Sequence, residues 1–301
     1  MAYNVSLRQL HVFSTITQHK TLTAASEALF LSKAAVSMAL SELEKQIGHP
    51  LFDRVNNRLV LNQEGQKLLP LADELLHRAN DIELMFDGDT TLTGQLRIGA
   101  SDTIGNQIAP YMLSDFRKST DHTQQSLFIS NSAQICQMLI DYELDIALIE
   151  GSTPHPDLLS VPFSHDEMCV IASPIHPLSH GSEITLDQLE GNDWILRESG
   201  SGSREFFTQL IAPRLVDWHE SFQLNTTEAL INSVSAGLGL ACLSKLAASP
   251  AIQDGRVVQI PLPLNMQRKF CLLVHKEKYQ NPLLKAFISF CQQWQQNDAS
   301  K

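Results

Sequence analysis

Apolar residues between positions 5 and 48 recur every three or four places, the period of amphipathic helices, and the breaks between runs leave room only for tight turns. Three helices are expected. The first carries Leu7, Leu10, Val12, Phe13 and Ile16 and fades into Gln18, His19 and Lys20. Thr23 is a suitable N-cap for a second helix over residues 24–29, whose small Ala24, Ala25 and Ala28 permit close approach to a neighbour. The third spans residues 33–47, with Ser32 as cap and Gly48 and Pro50 as stop signals. A short helix, a turn of about three residues and a longer helix make helix-turn-helix spacing. Residues 51–61 form two short extended runs around Asn56-Asn57, a turn pair that tolerates positive φ, so a hairpin bearing Arg54 and Arg58 follows as a wing.

From residue 63 to 87 the helical period returns. Leu68, Ala72, Leu75, Ala79, Ile82 and Phe86 are spaced 4, 3, 4, 3 and 4 apart, a heptad seam that predicts a dimerisation helix; packing on its own domain is the alternative. Small and polar residues 88–94 read as a linker. Beyond them strands at 95–100, 126–130, 145–150, 193–198, 221–224 and 240–243 alternate with helices, including one from about 203 to 216. That alternation predicts parallel sheets covered on both faces. A strand at 269–275 and a helix at 282–294 return to complete the first sheet. The expected class is therefore α/β, with a winged helix-turn-helix (1–62), a linker helix (63–89) and a two-lobed effector domain (90–301). Lobe I takes about 90–163 and 267–301, lobe II about 164–266, and ligands of such folds sit at strand carboxyl ends, here between the lobes.

Charge refines this organisation. The whole chain has a formal net charge of −11, which argues against a phosphate partner, but residues 1–62 hold six basic groups against four acidic ones. The N-terminal piece can touch DNA while the body is repelled from it. Five cysteines, Cys136, Cys169, Cys242, Cys271 and Cys291, are widely spaced and never paired as Cys-x-x-Cys, so they read as buried hydrophobes rather than a disulfide framework or zinc site. No apolar run is long enough to span a bilayer and no export signal is recognisable, so no membrane association and a cytoplasmic location are expected.

The third helix is the candidate reader of double-stranded DNA. Ser32, Lys33, Ala34 and Ser37 in its first turns are small or hydrogen-bonding groups, Thr23 stands at the start of the preceding helix, and Arg54 and Arg58 reach backbone or minor groove. Singly each reads as an ordinary solvated side chain; together they favour DNA. The run Leu7-Arg8-Gln9-Leu10 with Phe13, Ala24-Ala25 before Leu29, Leu31-Ser32-Lys33-Ala34-Ala35-Val36-Ser37, Leu43-Glu44 and Gly48-His49-Pro50-Leu51-Phe52-Asp53-Arg54 resembles the LysR-type transcriptional regulators over the whole length. Lys33 stands where that family usually has Gln. The resemblance implies a homodimer or homotetramer on a promoter site, RNA polymerase as a further partner, and an effector domain like a periplasmic binding protein.

Residues 195–204 contain Glu198-Ser199-Gly200-Ser201-Gly202-Ser203-Arg204 between a strand and a helix, where backbone N–H groups, Ser203 and Arg204 suit a small anion; a plain Ser/Gly turn is the alternative. The resemblance adds the loops Ser101-Asp102-Thr103 and Asn131-Ser132, with Thr226 on the same wall of the effector cleft. Glu150, ending the third strand, either pairs with Arg204 or meets a protonated group on the ligand. Ile149-Glu150-Gly151 and the serine-rich loop are similar to the subgroup of YeiE-like and CysB-like sulfur-responsive regulators, which implies a sulfur oxyanion, with an organic acid next. Neither a Gly-x-Ser-x-Gly elbow nor metal-ligand spacing among His155, His165, His176 and His180 is present, so no catalytic residue, metal or cofactor is expected. Two rival readings are a small-molecule binding protein without a DNA role and an α/β enzyme for a phosphorylated substrate.

Overall fold

The computed structural model describes residues 4–56, 58–85, 92, 94–151, 155–181 and 184–294. Helix α1 (Leu7–His19) opens with a capping box between Ser6 and Gln9, α2 follows at Leu22–Ala28, and α3 at Lys33–Ile47. The cap of α2 is Thr21, whose hydroxyl accepts from the Ala24 N–H; Thr23 lies exposed inside the first turn of the helix, so the expected capping role passes to its neighbour. Ser32 and Gly48 bound α3 as expected, the glycine with φ +84°. Strands β1 (Phe52–Val55) and β2 (Arg58–Leu61) form the wing, and α4 (Gln63–Met85) follows at once. A Cβ on Gly65 would meet the Leu51 carbonyl oxygen at 2.3 Å, so only glycine lets α4 start this close to the wing. Phe13, Ile16, Val36, Leu43, Leu51, Leu69 and Ala72 fill the core of this N-terminal unit. Asn57, Phe86 and most of the expected linker lie outside the described residues.

Lobe I contains β3 (Leu96–Ser101), α5 (Asp102–Gln107), α6 (Ala109–Thr120), β4 (Gln125–Ser130), α7 (Ser132–Ile140) and β5 (Ile146–Glu150). Strand β6 (Leu158–Ala172) crosses into lobe II, which holds β7 (Asp193–Arg197), α8 (Gly202–Phe206), β8 (His219–Leu224), α9 (Thr227–Ser235), β9 (Ala241–Ser244), α10 (Lys245–Gln253) and β10 (Val258–Ile260). Strand β11 (Gln267–His275) crosses back, and α11 (Pro282–Gln293) closes lobe I. The large sheet runs β10-β6-β11-β5-β3-β4, with β9 also on β6. It is parallel only among β3, β4 and β5, because the crossover strands pair antiparallel with each other and β11 with β5. The single helix expected from 203 to 216 is instead broken into α8, a π-helical turn over Phe207–Ile211 and a 3-10 turn over Ala212–Arg214. Pro213 lacks the N–H that would continue the helical ladder. Lobe I packs Phe116 edge-on to Phe287 with ring centres 5.0 Å apart, and lobe II packs Trp194 on Phe207 at 4.6 Å. No helix among the described residues is long and apolar enough to cross a membrane.

A buried ionic cluster joins α4 to lobe I. Lys278 Nζ lies 2.8 Å from both carboxylate oxygens of Asp73 and 2.9 Å from Asp145 Oδ1, and Arg97 Nη2 lies 2.6 Å from that same Asp145 atom. Beside it Tyr142, in left-handed backbone at φ +57°, enters the N-terminal core and donates its hydroxyl to His275 Nδ1 at 2.8 Å. Burial pushes the His275 imidazole below its usual value, and the Glu277 N–H, which also donates to Nδ1 at 3.2 Å, marks that nitrogen as the acceptor. Burial alone would raise the Asp145 carboxyl, but Lys278 and Arg97 outweigh it and hold it well below the usual carboxylate range; Asp73 is lowered in the same balance, by His77 and Lys278. Depressed carboxyls contribute stability above their unfolded pKa, near 4, and lose it as pH falls below that. The Lys278→Met variant, which leaves Asp73 without its main cation, should lose about 3–5 kcal/mol in urea unfolding at neutral pH. Its stability should also fall less steeply than the wild type's below pH ~4; superimposable pH profiles would show that Lys278 does not hold this cluster.

Candidate functional site

Two groups of candidate residues occupy opposite ends of the molecule. In the N-terminal unit, α3 buries Val36, Leu40 and Leu43 and turns Lys33, Ala34, Met38, Ser41 and Lys45 to solvent. Ser32 Oγ accepts from the Ala35 N–H at 3.2 Å and keeps its exposed O–H as a donor, while Ser37 is half-exposed. Glu44 Oε1 accepts from the Leu51 N–H at 2.8 Å and fixes the wing against the end of α3. Across the hairpin Arg54 faces Leu59 and Val55 faces Arg58. Side chains alternate along strands, so Arg54 shares a face with Phe52 and Arg58 takes the opposite one. Both are exposed, but they form no single patch, and Arg58 overhangs a cavity of about 660 Å³ between the wing and lobe I.

The expected seam on α4 divides. Ala72 is fully buried in the N-terminal core and Leu68 packs against that core, so these two serve their own domain. Leu75 and Ile82 remain 49 % and 59 % exposed, Ala79 is half-buried, and Leu71, absent from the expected seam, is 58 % exposed. The open apolar stripe is thus Leu71, Leu75 and Ile82, rotated from the heptad reading because Leu68 and Ala72 satisfy the local core first.

The second group converges at the strand carboxyl ends. Ser101 ends β3 and Ser132 opens α7 beyond β4; both hydroxyls are buried and, among the described residues, have no hydrogen-bond partner. Asn131 caps α7 by accepting from the Gln134 N–H at 2.9 Å. Glu150 is buried, accepts from the Thr103 N–H at 2.8 Å, and a Cβ on Gly202 would lie 2.9 Å from its Oε2. Thr226 caps α9 and lines a cavity of about 470 Å³ with Asp102, Thr103, Asn106 and Ile129.

Arg204 does not reach this cleft. Its guanidinium donates to Glu220 at 2.7 and 2.9 Å and to the Arg197 carbonyl at 2.9 Å, stapling α8 to β8. The hydrogen bond with Glu220 raises the arginine pKa and lowers the glutamate's. A guanidinium that does enter the cleft is that of Arg268 on β11. Its amino nitrogens lie 3.3 Å from Thr103 Oγ1, 3.5 Å from Ser203 Oγ and 3.8 Å from Glu150 Oε2, and it pairs with Asp166 on β6 at 2.6 Å. Burial still pushes the Asp166 carboxyl up despite that pair, with Glu150 adding to the rise. Glu150 therefore meets Arg268 rather than Arg204. The sequence pattern misses Arg268 because it starts the strand at residue 269. Arg197, also missed, spans the lobes: its Nη1 lies 3.0 Å from Asp102 Oδ2 and from Thr227 Oγ1, and Thr227 donates to Asp102 as well.

Comparison with known proteins gives consistent matches. Residues 7–66 match the bacterial regulatory helix-turn-helix protein, lysR family, and residues 89–296 match the LysR substrate binding domain. The chain is 38 % identical to the uncharacterized HTH-type transcriptional regulator YeiE of Escherichia coli K12, covering 96 % of this chain and 97 % of that one. In fold it is similar to a full-length OxyR point variant from Pseudomonas aeruginosa, with TM-score 0.75 and 20 % identity over 97 % and 96 % of the two chains. The regulatory domain of Synechocystis PCC6803 CcmR in complex with 2-PG aligns with TM-score 0.61 and 24 % identity, covering 66 % of this chain and 96 % of that one.

The stripe on α4 leads to a direct test. Leu75→Asp places a charge at its centre and should reduce the sedimentation mass toward that of one chain; an unchanged mass removes α4 from the oligomer contact.

Proposed function

This chain belongs to the LysR family of DNA-binding transcriptional regulators, and on that footing we propose that its effector is a small oxyanion that carries one charge and still holds a proton. The observation that carries this reading is the pair of buried hydroxyls without partners, Ser101 and Ser132. Buried polar atoms are rarely left unpaired, so a ligand oxygen reaching Ser101 and Ser132 would complete both. The first-turn N–H groups of Ala133, Gln134 and Ile135 are already taken by Gly200 and Asn131, so the positive charge comes from Arg268. Yet among the described residues the cleft also gathers Asp102, Glu150, Asp166 and Glu198 against two guanidinium groups, Arg197 and Arg268. A dianion such as sulfate meets that negative excess. Hydrogensulfite carries one charge less and can donate its proton to Glu150, so a sulfur oxyanion of that form fits better. The CcmR regulatory domain in complex with 2-PG supports a small ligand on this fold.

The output is a change in DNA contacts. A dimer joined through α4 places two copies of α3 on half-sites about one duplex turn, ~34 Å, or a multiple apart. Four elements of lobe I connect cleft to joint: β3 carries Ser101 and Arg97, α7 begins at Ser132 and leads to Tyr142, β5 ends at Glu150 and starts just after Asp145, and β11 carries Arg268 and His275. A ligand that shifts the cleft ends favours one setting of the joint, and with it one spacing of α3 helices, on DNA also visited by RNA polymerase.

Two measurements test the reading. Calorimetry on the full chain in mildly acidic buffer should show hydrogensulfite binding and little sulfate binding, and Ser101→Ala with Ser132→Ala should weaken the former at least tenfold. Equal binding of both anions, or an unaffected double variant, overturns the proposal. For the DNA side, Arg54→Ala should weaken binding to all duplexes and reduce the salt slope by about 1; an unchanged slope removes its phosphate contact.

A further inference from the structure

The outward face of α3 is poor in the groups that usually read bases. Ala34, Met38, Ser41 and Lys45 follow one another at four, three and four residues, so they share one face of the helix, and all are exposed. Met38 is 63 % exposed. Planar side chains that pair with guanine or adenine through two hydrogen bonds, Arg, Asn and Gln, are absent from α3 before Gln46. Ser32 Oγ accepts the Ala35 N–H of its cap and keeps one O–H to donate. The reading face of the first two turns therefore offers methyl groups, a thioether, the Ser32 and Ser37 hydroxyls and the Lys33 ammonium.

Among base edges in the major groove only thymine presents an apolar group, its C5-methyl. We propose that Met38, with the Ala34 methyl one turn before it, specifies thymine in the half-site by covering that methyl. The proposal rests on the reading that α3 lies in the major groove. A guanine or cytosine edge at the same place would lose water from its polar groups against a side chain unable to replace the hydrogen bonds, which adds discrimination by penalty.

The test uses the full-length chain and duplexes selected by it from a random-sequence pool. Each thymine of the selected half-site is replaced in turn by uracil, which keeps the pairing and removes only the methyl. At one or two positions the wild type should bind about three- to fivefold more weakly, the weight of one buried methyl. Met38→Ala should lose that sensitivity while keeping its salt slope, and Met38→Leu should restore it. Circular dichroism confirms the fold of each variant. If no uracil position affects the wild type, or if Met38→Ala remains as sensitive, the proposal is overturned. A wild type that binds no duplex at any salt concentration removes the groove reading itself, an outcome distinct from a specific site indifferent to the methyl.

Discussion

Burying an ammonium group is tolerable only where carboxylates meet it, and Lys278 is met by Asp73 from α4 and by Asp145 from the start of β5. This cluster fixes how the DNA-binding unit sits on lobe I. Its geometry is exacting, because removing one partner leaves an unpaired charge in a dry place. Arg97 and Tyr142 extend it, the first by a bidentate pair with Asp145, the second by filling the N-terminal core from a strained backbone position. Such a joint resists small deformation. It holds in one arrangement or lets go, which is the behaviour a switch between DNA contacts requires.

The cleft is built by the same elements that build the joint. Strand β5 is five residues long, about 17 Å at the usual rise, with Glu150 at its cleft end and Asp145 just before its other end. Strand β11 has Arg268 near one end and His275 at the other. Both strands are paired on each side, so under the proposed function a displacement at Glu150 or Arg268 would carry to Asp145 and His275 through a stiff element. The crossover pair Arg268–Asp166 stands where the lobes meet, and burial keeps Asp166 harder to ionise than an exposed aspartate.

Much of this is legible locally. Ser32, Gly48, the apolar period of α3 and the wing hairpin are short-range signals, and the structure places those elements at the expected residues. Thr21 and Thr23 are chemically alike, and the choice between them depends on which residues α2 can bury. Strand β6 escapes a pattern reading because Pro162, His165, Asp166 and Glu167 interrupt its apolar run, and α10 and β10 escape it likewise. The direction of a guanidinium is a long-range fact. Arg204 finds Glu220 sixteen residues later, whereas Arg268 reaches Thr103 across the molecule, and no local pattern distinguishes the two. The heptad seam on α4 breaks at Leu68 and Ala72 for a similar reason: the period is correct, but the adjacent core claims one side of the helix.

Charge placement explains why the acidic body does not defeat DNA binding. Lys20 pairs with Asp141 and Glu143, and Arg58 lies over a cavity also lined by Asp157 and Glu277, so lobe I's carboxylates near the N-terminal unit face basic groups rather than bulk solvent. Arg54, on the other face of the wing, and Lys33 and Lys45, on α3, are exposed. Repulsion from the body then acts as a guide, since a duplex approaching from the lobe I side meets carboxylates while one approaching α3 meets lysines. The net charge of −11 is in this sense compatible with a phosphate partner, because residues 1–62 carry six basic groups against four acidic ones while the excess of carboxylates lies in the body.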